Sequence, residues 1–177
     1  MNGFLRFVGL MNAALWLGAV VFFSVAVWPA GFSEMEQLLG STNYPFFSAA
    51  FVHVVAERYF LFTGVLAVMA LLHLLAEWLY MGRPGRQVSL ALLGGLLALV
   101  LIGGIWLTPH LKNLHIKHYA TNLSRVERES AGRSYRVWHA GLFVINAIMA
   151  AGLVVHVWRV ANPSDATRFI SSMKFRG

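Results

Sequence analysis

The stretch YFLFTGVLAVMALLHLLAEWLYM, residues Tyr59–Met81, decides the fold. A helix rises about 1.5 Å per residue, so this run is long enough to cross a hydrocarbon core about 30 Å thick. It contains no Lys, Arg or Pro, and apart from its tyrosines its ionisable groups are His73 and Glu77. Such groups are costly in hydrocarbon and mark a functional site by default. They stand one helical turn apart, on one face.

The surrounding chain agrees with that reading. Of 177 residues 58% are hydrophobic and 12% charged, against roughly 45–50% and about 25% in soluble domains. So little charge cannot cover a water-exposed globule, and a membrane protein is expected. The absence of cysteine excludes disulfides, thiolate metal sites and thiol nucleophiles. Any metal or haem would rely on His, Met, carboxylate or backbone ligands. The net charge of +7 lies almost wholly outside the apolar runs and suits lipid headgroups. With no groove-reading or base-stacking motif, no nucleic-acid partner is expected.

Outward from the opening stretch, three more runs qualify as spans. They are residues 7–28, which Pro29 stops, residues 88–107, ended by Thr108-Pro109, and residues 137–160, ended by Asn162-Pro163. The expected fold is all-α, an integral membrane four-helix bundle in one domain (1–163), with spans 7–28, 59–81, 88–107 and 137–160. A basic tail follows at 164–177. The first span is too long for the core of a secretory signal and reads as a retained anchor. Spans two and three form a hairpin across Gly82–Gln87.

In the first loop, Tyr44-Pro-Phe-Phe and Ala49–Val55 suit an interfacial or partly re-entrant helix. In the third, Ser124-Arg-Val-Glu127 reads as a capping box that starts helix four near Arg125. Small residues four apart (Gly9/Ala13, Ala14/Gly18, Ala91/Gly95, Gly94/Ala98, Ala147/Ala151) are expected to pack the bundle, or to join two copies as a homo-dimer or wider membrane complex. Lys and Arg are balanced between the two faces. The lack of either in the first loop before Arg58 tilts the termini to the cytoplasmic side. A bacterial inner membrane is the expected location.

Depth along the helices groups the polar residues. His73 and His156 fall at similar depth near the face bearing the termini, and as facing imidazoles they form a candidate haem b or copper pair. His53, His110 and His139 form a looser candidate metal cluster near the opposite face, His53 joining if span two continues backwards as helix. Glu57 and Arg58 suit the point where that helix enters lipid. His73 and Glu77 suit a locked pair, with Arg83 or Arg86 as partners, a proton-relay step, or a ligand with its supporting carboxylate. Asn146, near the midplane, needs a polar partner, and Asn12 is available. His115 and His118 read as solvated loop residues.

Several of these residues carry a family resemblance. Trp16-Leu-Gly18 with Val21-Phe-Phe23 and Pro29, Glu57-Arg-Tyr59, His73-Leu-Leu-Ala-Glu77-Trp78, Trp106-Leu-Thr-Pro109, and Arg136-Val-Trp138-His139 with Asn146 recur in that order. In this the chain resembles bacterial relatives of the transmembrane protein 205 family, four-span proteins of unknown function, and more distantly CopD-like copper-resistance membrane proteins. CopD-like proteins often carry a histidine early in span one, where this chain has Gly9. No catalytic signature appears, and the lack of a phosphate loop or nucleophile argues against an enzyme. A small scaffold or transport-related bundle is expected, with a metal- or haem-handling protein and a proton-coupled carrier component as alternatives.

Overall fold

The computed structural model describes residues 2–81 and 86–162. The turn at 82–85 and the tail at 164–177 lie outside the described residues. The chain forms α1 (Asn2–Phe22), a π-helical turn (Phe23–Val27), α2 (Trp28–Met81), α3 (Arg86–Leu101), a second π-helical turn (Ile102–Leu107), α4 (Thr108–Tyr119) and α5 (Arg125–Ala161). Within α2, Gly40 takes φ 69° and ψ 162°, a conformation essentially reserved for glycine. The chain folds back on itself there, and a Cβ on Gly31 would meet Val52 at 2.5 Å. Four rods result, Phe4–Asn43, Pro45–Leu79, Gln87–Tyr119 and Arg125–Ala161, each long and apolar enough to cross a membrane. The protein is an all-α, multi-pass bundle.

Two prolines expected to end spans do not. Proline within a helix lacks an N–H and clashes with the carbonyl four residues back. Each π turn lies directly ahead of such a site, Pro29 and Pro109, and widens the helix there. The Trp28 N–H donates to the Phe23 carbonyl, while the Thr108 N–H and hydroxyl both reach the Gly103 carbonyl, the hydroxyl at 2.7 Å. The first rod therefore runs on past Trp28 and the third past Leu107. The Ser124–Glu127 capping box is present, Ser124 Oγ accepting the Glu127 N–H and Glu127 accepting the Ser124 N–H at 2.9 Å. The Ser124 hydroxyl, donating to the Glu127 carboxylate at 2.7 Å, and then the Ser124 N–H hold that carboxyl below its ordinary range.

Neighbouring rods run α1–α2–α3–α5 and back to α1. On α5 the buried positions Leu142, Asn146, Met149, Leu153 and His156 alternate by four and three, the spacing of a helix–helix seam. Lipid supplies no hydrophobic drive between helices, so close packing and polar pairs hold them. Trp16, Met149 and Leu153 are fully buried. A Cβ on Gly152 would meet Leu96 at 2.9 Å, and one on Gly103 would meet Phe60 at 2.3 Å.

Of the small-residue pairs, Gly9/Ala13 packs inside. Ala14/Gly18, Ala91/Gly95, Gly94/Ala98 and Ala147/Ala151 instead have exposed members facing outward, and nothing lies within 4 Å of a Cβ built on Gly18, Gly94 or Gly95. The expectation that all five pairs pack this chain's own bundle is corrected accordingly.

Exposed tryptophans are spaced as the two edges of a membrane would require. Trp138 and Trp158 are exposed on α5 and twenty residues apart, about 30 Å of helix, the thickness of the hydrocarbon core. Arg58 and exposed Trp78 on α2 have the same separation. Beyond the level of Arg58 and Trp138 the rods continue as a helical head, built from the α2 hairpin around Gly40, α4 and the first turns of α5.

Candidate functional site

The densest polar grouping lies where the head meets the membrane. His53 comes from α2, His115 from α4, and Tyr135 and His139 from α5. The His53 and His115 rings are centred 5.5 Å apart, His53 and Tyr135 5.8 Å, His115 and Tyr135 5.7 Å, and Tyr135 and His139 5.4 Å. The Tyr135 hydroxyl lies 3.4 Å from His53 Nε2, the far limit of a hydrogen bond. His115 Nε2 donates to the Phe46 carbonyl at 3.0 Å, and Phe46 covers the ring face at 5.2 Å. Trp28 closes the other end, 4.2 Å from the His139 ring. His53 is 4% exposed, and its Nδ1 is buried without a hydrogen-bond partner. Burial pushes the His115 imidazole below its ordinary pKa, with nearby His118 adding to the effect and the bond to Phe46 opposing it. His53 and His139 each pack against Tyr135, and His110 does not join them.

His110 instead stacks on Trp106, ring centres 5.6 Å apart and planes within 4°, with Trp138 edge-on to both. The loop reading of His115 and His118 is corrected: both stand on α4, His115 buried and His118 half-buried. His118 Nδ1 donates to the Arg128 carbonyl at 2.9 Å, and its ring rests against Gly132, where a Cβ would come within 2.6 Å. Among the described residues no group of three or more His, Asp or Glu side chains is arranged to hold a metal ion.

At the membrane level below, Glu57 meets Lys112 at 3.0 Å, both side chains about half exposed, and such a pair is worth at most about 1 kcal/mol. Arg58 is exposed and forms no ion pair with any described residue. Deeper, the Tyr59 hydroxyl donates to Asn146 Oδ1 at 2.6 Å, and Asn146 Nδ2 donates to the Leu142 carbonyl at 3.2 Å. The partner of Asn146 is therefore Tyr59, with Phe23 stacked on its ring at 4.2 Å. Asn12 donates separately to the Leu66 carbonyl at 3.0 Å.

At the opposite end His73 turns toward α1. Its Nε2 donates to the Leu5 carbonyl at 2.7 Å, and its ring lies flush on Gly9, where a Cβ would sit 2.4 Å from Cε1. His156 is 8% exposed and close enough for the charges of the two imidazoles to interact. A haem between them needs Nε2 free to meet iron and an open space beside it. Here Nε2 is committed and the adjoining edge is closed by backbone, so the pair does not fit that group. Glu77 is half-buried; of its expected partners Arg83 and the Arg86 side chain lie outside the described residues. Arg6 donates to the Ala161 carbonyl and Arg159 to Ser89 Oγ at 3.3 Å, tying the ends of the rods together.

Sequence reasoning missed Tyr135 and placed His115 in a loop; these two rings complete the head cluster. Tyr135 sits four residues before His139, a one-face spacing that gave a usable signal. No family model, curated protein or solved structure matches this chain.

Proposed function

We propose that the protein is a membrane-embedded scaffold that holds its helical head at one face of the bilayer as a docking platform. The observation that carries this is the commitment of four interior polar side chains to fixed partners on other helices. Tyr59 meets Asn146, Asn12 meets Leu66, His73 meets Leu5, and His115 meets Phe46. Between the level of Tyr59 and that of His73 the core is filled by Trp16, Met149 and Leu153, which suits a rigid support better than a path for ions. The head also exposes Leu38, Phe47, Phe51 and Val54, an apolar set that favours a covering partner.

Two measurements test this. Proteoliposomes loaded with a pH-sensitive dye are expected to leak protons no faster than empty vesicles. A photo-crosslinker at Leu38 is expected to give one discrete heavier species in native membranes. Proton flux abolished by Glu77→Gln, or no crosslinked species, would sink the scaffold reading in favour of a carrier component.

A second reading rests on one atom, the buried and unpartnered Nδ1 of His53. It favours transition-metal handling at His53, with His139 on the far side of Tyr135 as a second imidazole, in keeping with the resemblance to copper-resistance proteins. Titration of the purified protein with Zn²⁺ or Cu²⁺ tests it. Saturable binding lost in both His53→Ala and His139→Ala supports it, and binding unchanged in those variants ends it.

A further inference from the structure

We infer that the groove between α1 and α2 is a binding site for an anionic membrane lipid, its acyl chain lying along α1 and its headgroup phosphate held by Arg58. The groove has a volume of about 660 Å³, within the range of about 300–1,000 Å³ common for ligand sites. Its floor is made by small residues of α1, Ala14, Gly18 and Ala19, and its walls include Phe22 and Phe62. Gly18 has nothing within 4 Å of where a Cβ would stand, so these small residues create a hollow rather than a helix contact.

Charge identifies the occupant. Arg58 is the sole charged residue among those lining the groove, and it forms no ion pair with any described residue. Its neighbour Glu57 is taken by Lys112. Arg58 stands at the membrane edge set by the twenty-residue separation from Trp78, where a lipid phosphate lies. Below it the groove runs from Phe22 to Met11, about 16 Å of helix, which matches one leaflet's half of a core about 30 Å thick. An unpaired cation at headgroup depth above an apolar channel one leaflet long is complementary to a single anionic lipid. A zwitterionic lipid fills the channel and also presents a phosphate, but its own choline cation offsets the negative charge that the guanidinium meets.

Native mass spectrometry of the full-length protein in mild detergent tests the assignment, using phosphatidylglycerol and phosphatidylcholine with identical acyl chains. The first bound lipid is expected to favour phosphatidylglycerol by about fivefold, the preference one surface cation supplies. Arg58→Gln is expected to bring that ratio to near one by weakening phosphatidylglycerol more than phosphatidylcholine. Gly18→Leu, which enters open space on an exposed helix face and so leaves folding unchanged by circular dichroism, is expected to weaken both lipids. Arg136→Gln, removing another exposed cation on the same side, is expected to keep the wild-type ratio. Equal binding of the two lipids by the wild type would overturn the inference. So would an Arg136→Gln loss as large as that of Arg58→Gln, or a Gly18→Leu effect on a dimer peak rather than on bound lipid.

Discussion

Replacing Tyr59 by phenylalanine removes one oxygen and leaves the ring stacked on Phe23. That oxygen is 2.6 Å from Asn146 Oδ1, and the two residues are 7% and 4% exposed, so no water replaces it. A buried acceptor stripped of its donor costs about 1–3 kcal/mol. Interhelical polar pairs in membrane bundles couple by about 0.6 kcal/mol on average and about 1.7 at most. The short distance and closed surroundings place Tyr59→Phe at about 1–2 kcal/mol of destabilisation. Asn146→Leu strands the Tyr59 hydroxyl and costs a similar amount. The double variant leaves neither group stranded and is expected to lose about 1 kcal/mol less than the sum of the singles. Unfolding by sodium dodecyl sulfate in mixed micelles, followed through the six tryptophans, gives all four corners of the cycle. Single effects that add within about 0.3 kcal/mol would refute the pair as an interhelical lock.

Gly103→Ala would place a methyl group 2.3 Å from Phe60 Cε1, an overpacking expected to cost about 1–3 kcal/mol; thermal unfolding checks it, with Phe60→Leu expected to restore part of the loss. Because the folded-state pKa of His115 is depressed, its neutral form favours the fold. Stability is therefore full above the unfolded value of about 6.5 and is lost as pH falls through the interval down to the depressed value. His115→Gln is expected to flatten that part of a melting-temperature profile between pH 8 and pH 5, and an unchanged slope would show that His115 does not contribute.

The spans were legible because crossing a bilayer demands an apolar length that no loop supplies. The start of α5 was legible because Ser124 and Glu127 hold the spacing that closes a capping box. Which side chains share the head cluster was not, and the reason is countable. The buried positions Leu93, Leu96, Val100, Gly103 and Leu107 alternate by three and four, and the series projects next to His110 and Leu114. The π turn at Ile102–Leu107 inserts about one residue, so the buried positions become Leu111 and His115. His110 is turned out to its tryptophans and His115 is turned in to meet His53. Likewise Asn146 announced its need for a partner, but choosing Tyr59 over Asn12 depends on rotations about helix axes that only the assembled bundle sets.

That inserted residue also makes the two π turns phase joints. Each lies in a rod running from the terminal face toward the head and ends two residues before a proline, at the level where the head begins. The membrane half and the head half of each rod keep their own seams, offset by about 100°, the rotation of one residue. A one-residue deletion at either joint would leave the membrane half's facing intact while swinging every head side chain on that rod by more than a quarter turn. The head can thus be re-aimed by the length of the chain alone, with no change in the residues that line it.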